Sequence, residues 1–212
     1  LVGEPGIGKT RLLAEVAGRA DARGHLVLSG SASELERDLP FSVFVDALDE
    51  YVRGLGPDRF TDLDDDVRSE LAHVFPSLTA LAGDRRPALQ HERYRSHRAV
   101  RSLLEQLTST QPLVLVLDDL HWADSASIEL LGALLRRPPA APVLLALAMR
   151  PRHVPERLSS ALERAWRADL LTRIDLPALS AEEARELLGD SVGGADANVL
   201  FLESGGNPFY LE

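Results

Sequence analysis

The sequence predicts an α/β domain in which a parallel sheet lies between two layers of helices. Short apolar runs alternate with amphipathic segments of helical period along most of the chain. Two of those runs, Leu113 to Leu117 and Val143 to Ala148, are apolar without interruption, as strands covered on both faces are. A glycine-rich loop separates the first apolar run from the first helix. The 212 residues are enough for one large domain, or for a core with a small satellite.

Read in order, Leu1 to Gly3 is the end of a strand that begins upstream, so the chain is expected to be cut from a larger protein. Lys9 to Ala22 is a helix closed by Gly24, and His25 to Ser29 is the next strand. Pro40 starts an amphipathic helix reaching about Val52, and the acidic loop Asp62 to Asp66 leads to a helix over Val67 to Val74. Glu92 to Leu107 is helical by its spacing, and Pro112 introduces the strand Leu113 to Leu117, which is expected to be central. Ser125 caps a helix ending at Arg136, where Pro138 and Pro139 stop it. Val143 to Ala148 is a fully buried strand, Pro155 to Ala168 a helix, and Leu171 to Leu176 the last strand. Ser180 with Glu183 makes a capping box for a helix to Leu188, and Val192 to Ala195 is a flexible joint. The organisation expected is an α/β core over residues 1–178 and a partial helical lid over 179–212.

Composition narrows the function classes. A formal net charge of -10 does not suit a nucleic-acid surface, which needs clustered Lys and Arg. With no cysteine there is no disulfide framework and no thiolate zinc site, and a cytoplasmic setting is the default. The longest apolar runs fall far short of the roughly 20 residues a membrane helix needs, so no membrane partner is expected.

The chemistry is concentrated in two segments. Gly3-Glu4-Pro5-Gly6-Ile7-Gly8-Lys9-Thr10 fits the Walker A pattern G-x-x-x-x-G-K-[ST] in full. Glycines let the backbone wrap closely enough for its N–H groups to surround a β-phosphate, and the following helix offers its positive end to the same anion. Lys9 would bridge β- and γ-phosphates, and the Thr10 hydroxyl would ligate Mg2+. The strand Leu113 to Leu117 ends in Asp118 and Asp119, the Walker B form. Asp118 would reach the magnesium shell, and Asp119 would orient or deprotonate an attacking water. Strand ends also carry Asp simply to start a turn, and the coupling to Walker A favours the metal role. Arg150, at the exit of Val143 to Ala148, either senses the γ-phosphate or is a solvated arginine. Arg164 and Arg167 read best as a solvated helix face.

Other patterns fail. Asp62, Asp64 and Asp66 imitate a calcium loop, but Val67 stands where its glycine belongs and His73 where its closing glutamate belongs. No H-E-x-x-H or G-x-S-x-G occurs. His121 and Trp122 read as packing beside the Walker B acids.

Larger segments carry a resemblance: Gly3 to Leu13, Ser33-Glu34-Leu35-Glu36 with Pro40-Phe41, Glu92-Arg93-Tyr94-Arg95, Leu117-Asp118-Asp119-Leu120-His121-Trp122-Ala123-Asp124, and Gly205-Gly206-Asn207-Pro208-Phe209-Tyr210-Leu211-Glu212. With these the chain resembles, over nearly its whole length, the STAND branch of the AAA+ P-loop NTPases. It is similar in particular to the ATPase domain of large LuxR-family transcriptional regulators. The resemblance implies a three-layer P-loop NTPase fold and a slowly hydrolysing Mg-ATP switch. ATP or ADP would control self-association, and DNA would be contacted only through a helix-turn-helix outside these residues. It also implies Arg11 as part of the nucleotide loop and Pro208 as a lid residue packing near the adenosine. Two other outcomes stay open: a nucleotide-binding scaffold without useful turnover, or the same module fused to a cyclase or kinase.

Overall fold

A computed structural model describes residues 1–81, 92–152, 154–189 and 194–211. Three parallel strands, β1 (Leu26–Ser31), β2 (Leu113–Asp118) and β3 (Val143–Leu147), lie in that order. Leu28 is level with Leu115 and Leu115 with Leu145. Val2 extends the sheet beyond β3, bridging in parallel to Met149 on one side and Asp175 on the other. The fold is the expected P-loop α/β architecture, an open parallel sheet with helices.

All six residues of β2 are buried, because the strand is covered on both faces. Its side chains alternate between two clusters. Leu113, Leu115 and Leu117 enter the larger, with Phe44, Leu48, Leu103, Leu104 and Leu130. Val114 and Val116 enter the smaller, with Leu13 and Ala20 of α1 (Lys9–Asp21) and with Ala148. Helix α1 thus covers one face. The other face is covered by α2 (Ser42–Leu55), α4 (Glu92–Leu107) and α5 (Ser125–Arg136), with α3 (Asp65–Val74) packed on α4. Helix α6 (Glu156–Arg167) packs on α5, and α7 (Ala181–Leu188) on α8 (Gly194–Ser204).

Several expectations are corrected. The cap of α5 is Asp124 and not Ser125, since the carboxylate accepts from the N–H groups of Ala126 and Ser127, both at 2.9 Å. Helix α2 begins at Ser42, because Phe41 takes a left-handed φ of 63° where a helix cannot pass. Asp65 and Asp66 lie in the first turn of α3 and not in a loop; carboxylates there face the positive end of the helix dipole. The strand β3 is only partly buried: Leu144 is 54% exposed and faces a groove shared with Trp166 and Leu170. Residues 171–176 make one bridge, at Asp175, in place of a full strand: Val2 donates to the Ile174 carbonyl at 2.9 Å and accepts from the Leu176 N–H at 2.8 Å. The capping box of Ser180 and Glu183 forms as expected. The joint at Val192 to Ala195 falls on residues whose side chains, and in part whose backbone, lie outside the described ones, as does Glu212.

Gly30 shows how tightly α2 packs on β1. A Cβ there would stand 2.5 Å from the Val43 carbonyl oxygen and 2.8 Å from the Ala47 nitrogen. Gly30→Val is expected to cost about 1–3 kcal/mol by overpacking, read as a lower urea midpoint at unchanged m-value. A midpoint equal to that of the parent chain would contradict this packing.

Candidate functional site

The parallel strands end on one side, and there the glycine loop, the β2 carboxylates and Arg150 meet. Between Val2 and α1, residues 3–8 turn sharply, with Ile7 N–H donating to the Glu4 carbonyl at 3.3 Å. Gly6 and Gly8 take φ of 76° and 98°, which other residues rarely adopt. Gly8 is the N-cap of α1 and supplies no side-chain acceptor, so the first-turn N–H groups keep their capacity for an anion. Around Gly8 no heavy atom lies within 4 Å of the position a Cβ would take, so the loop leaves open space beside the helix end. Glu4, Pro5, Gly6 and Thr10 are exposed, Ile7 is buried, and Arg11 points outward on α1.

Lys9 is only 6% exposed, and its ammonium donates to the carbonyls of Gly3 at 3.0 Å and Glu4 at 2.9 Å. Burial lowers its pKa, against the opposing pull of Asp119, while Arg150 adds to the lowering. Thr10 Oγ1 donates to Asp118 Oδ2 at 2.6 Å, joining residues 108 apart in sequence. The other oxygen of Asp118 accepts from the Asp119 N–H at 2.7 Å. Asp119 itself takes a left-handed φ of 51°, turning the chain out of the sheet, and its Oδ1 lies 3.7 Å from Nδ1 of the buried His121. Burial first, and the neighbouring Asp118 second, raise the Asp119 pKa; Arg150 and Lys9 oppose them.

Arg150 is half-buried beside these groups, with its Nε enclosed and without a hydrogen-bond partner among the described residues. Its guanidinium carbon lies 6.0 Å from the Trp122 ring centroid, and that of Arg37 lies 4.3 Å from the same ring. Arg37 also donates to the His121 carbonyl at 3.3 Å. No local pattern marks Arg37, an ordinary charged residue in a polar segment. Asp124 is the other residue missed. It is buried, and besides capping α5 it accepts from the N–H groups of Phe41 and Ser42 and from the hydroxyls of Ser42 and Ser127. The Asp-x-x-Ser spacing before an apolar helix was its readable signal.

The loop, the two carboxylates and Arg150 therefore come together, whereas Arg11 is on the outside of α1. Arg164 and Arg167 lie on the exposed face of α6, as their sequence reading has them. Pro208 begins a short 3-10 helix, Pro208–Tyr210, and its neighbour Asn207 donates from Nδ2 to the Pro5 carbonyl at 2.9 Å.

Residues 1–147 match the family described as the AAA ATPase domain. The chain belongs to that family. Membership makes this AAA ATPase domain a nucleotide-binding module of a class that usually works with Mg2+. An uncharacterized protein of Rhizobium meliloti (strain 1021) is 29% identical over 195 residues, covering 86% of this chain and 18% of its own length. The chain thus spans less than a fifth of that relative. No described helix is long and apolar enough to cross a membrane.

The residues present fit a magnesium nucleotide. The open, positively polarised loop suits phosphate, and Thr10 with Asp118 forms an all-oxygen set suited to a hard cation. Among the described residues no three His, Asp or Glu side chains cluster as a metal site.

Two outcomes follow. The raised pKa of Asp119 means that the folded chain holds that proton more tightly than the unfolded chain. Its contribution favours folding below the ordinary carboxylate range and is lost as pH rises through the raised value. Without nucleotide, Asp119→Asn should therefore have a higher Tm than the parent at pH 7, the difference closing below pH about 4, the ordinary carboxylate value. A variant no more stable at pH 7 would contradict the assigned environment. Asp124→Ala leaves several buried donors unpaired and is expected to cost at least about 2 kcal/mol by urea unfolding.

Proposed function

We propose that this chain is a Mg-ATP-binding switch of slow turnover, with an α/β core over residues 1–178 and a helical lid over 179–212. The observation that carries the reading is the Thr10–Asp118 hydrogen bond. It holds together the two side chains that a magnesium ion bound with phosphate would need, beside a loop shaped for that phosphate.

In this reading the N–H groups of residues 6 to 10 would donate to phosphate oxygens, and Lys9, whose ammonium otherwise meets the Gly3 and Glu4 carbonyls, would hold the β- and γ-phosphates. Thr10 and Asp118 hold the cation, which when bound would neutralise phosphate charge. Asp119 orients a water and takes its proton, a role that its raised pKa favours. Arg150, whose Nε has no hydrogen-bond partner among the described residues, would stabilise the developing charge. Pro208 would pack near the adenosine, as the resemblance implies.

The host reading rests on the segments quoted above that resemble LuxR-family regulators. In such a host the module's self-association would follow the nucleotide, and DNA contact would belong to a helix-turn-helix elsewhere in the protein. The net charge of -10 agrees with a module that does not itself grip DNA.

Thermal unfolding with Mg-ATP and Mg-ADP tests the site. At a hundredfold excess over Kd, nucleotide should add about 2.7 kcal/mol, and Lys9→Ala, compared with its own unliganded Tm, should abolish the shift. Absence of a shift in the parent chain would overturn the nucleotide reading. Asp119→Asn should keep the shift and lower phosphate release by about 100-fold or more; unchanged turnover would remove Asp119 from the chemistry.

A further inference from the structure

We infer that Asn207 is a positioning residue that fastens the 205–211 strap to the phosphate loop, and that opening its bond to Pro5 limits how fast nucleotide leaves. The consequence for nucleotide rests on the reading just proposed; the fastening itself does not.

The strap is built from both ends. Gly205 and Gly206 take left-handed φ of 59° and 76°, bending the chain out of α8. Gly206 is buried, its carbonyl accepts from Leu179 N–H at 2.8 Å, and a Cβ there would collide with the Leu179 carbonyl oxygen. The strap is thereby fixed to the segment entering α7.

At its other end it presses on the loop. A Cβ at Gly6 would stand 2.6 Å from Phe209 Cβ and 2.9 Å from Asn207 Oδ1. Asn207 uses both ends of its amide: Nδ2 donates to the Pro5 carbonyl at 2.9 Å, and Oδ1 accepts from Phe209 N–H at 3.1 Å, capping the 3-10 turn. The partners on the two sides are 202 residues apart.

Holding the Pro5 carbonyl has a further effect. The Pro5–Gly6 peptide is planar and trans, since the described chain has no cis peptide, so its N–H points opposite to its carbonyl. Asn207 therefore sets the direction of the Gly6 N–H, one of the loop donors, as well as the position of Phe209. Phe209 and Tyr210 stand edge to face at 5.4 Å and are 69% and 68% exposed, so packing of their rings contributes little to holding the strap down. The polar bond from Asn207 and the contact at Gly6 carry that task.

Asn207→Ser separates the two uses of the side chain. Serine caps a turn about as well as asparagine but has no amide N–H to reach Pro5. Two readouts apply to parent, Asn207→Ser and Asn207→Ala chains: hydrogen exchange of residues 4–8 and 205–211 without nucleotide, and stopped-flow release of mant-ADP. Both variants should exchange faster in both segments and release mant-ADP about three- to tenfold faster, the scale of one hydrogen bond. A serine variant that matches the parent in either readout, with only alanine altered, would reduce Asn207 to a cap and overturn the inference. If mant-ADP does not bind the parent while exchange rises in Asn207→Ser, the nucleotide reading fails and the fastening stands. Unchanged exchange in both variants sinks the fastening itself.

Discussion

A strand covered on both faces has no place for a polar side chain until it leaves the sheet, and β2 is such a strand. Leucines at 113, 115 and 117 fill one core and valines at 114 and 116 the other, so the first polar residue is Asp118, at the strand's carboxyl end. The parallel pairing of β1, β2 and β3 brings all their carboxyl ends to the same edge. Helix α1 lies under that edge because Leu13 and Ala20 need Val114 and Val116 for burial. The packing of α1 thus brings Thr10 to Asp118, and the hydrogen bond at 2.6 Å is a result of core formation. The site inherits its geometry from apolar surface that takes no part in its chemistry.

Charge at the site is balanced by pairs under tension. Burial disfavours the charges of both Lys9 and Asp119, and each is sustained in part by its opposite. Asp118 and Asp119 are adjacent like charges at a buried edge, which works against folding and in favour of any cation that arrives. Lys9 keeps its ammonium hydrogen-bonded to two loop carbonyls, so it is neither desolvated without partners nor committed to a carboxylate. Carbonyls are weaker partners than phosphate oxygens, and the exchange therefore favours the anion.

What the sequence made legible was whatever depends on local pattern. The eight-residue loop, the apolar run ending in two carboxylates, and the capping box of Ser180 and Glu183 each lie within a few residues, and each formed where the spacing put it. The errors came where long-range packing decides. Ser125 and Asp124 are both good caps, and the choice fell to Asp124 because its carboxylate also serves Phe41 and Ser42 from another part of the fold. The run Val143 to Leu147 is as apolar as β2, yet Leu144 is open, since hydrophobicity states what a strand tolerates and not what covers it. Arg37 was invisible because its partner, Trp122, is 85 positions away and is met only once β1 and β2 pair.

The loops that follow β1 and β2 are joined through one carboxylate. Asp124 accepts from Phe41 and Ser42 on one side and from Ala126 and Ser127 on the other, while Arg37 spans the same gap by lying on Trp122 and bonding the His121 carbonyl. Residues 121 to 124, just beyond the turn at Asp119, are consequently held by groups from the 37–42 segment. A left-handed Asp119 is strained on its own and persists because its surroundings over-determine it. The 37–42 segment and residues 121 to 124 are thus tied at several points just beyond Asp119. The same reasoning explains why Phe41, also left-handed, sits where it does. Its N–H donates to Asp124, and so does that of Ser42, the first residue of α2, so the one carboxylate holds the chain on both sides of the helix start.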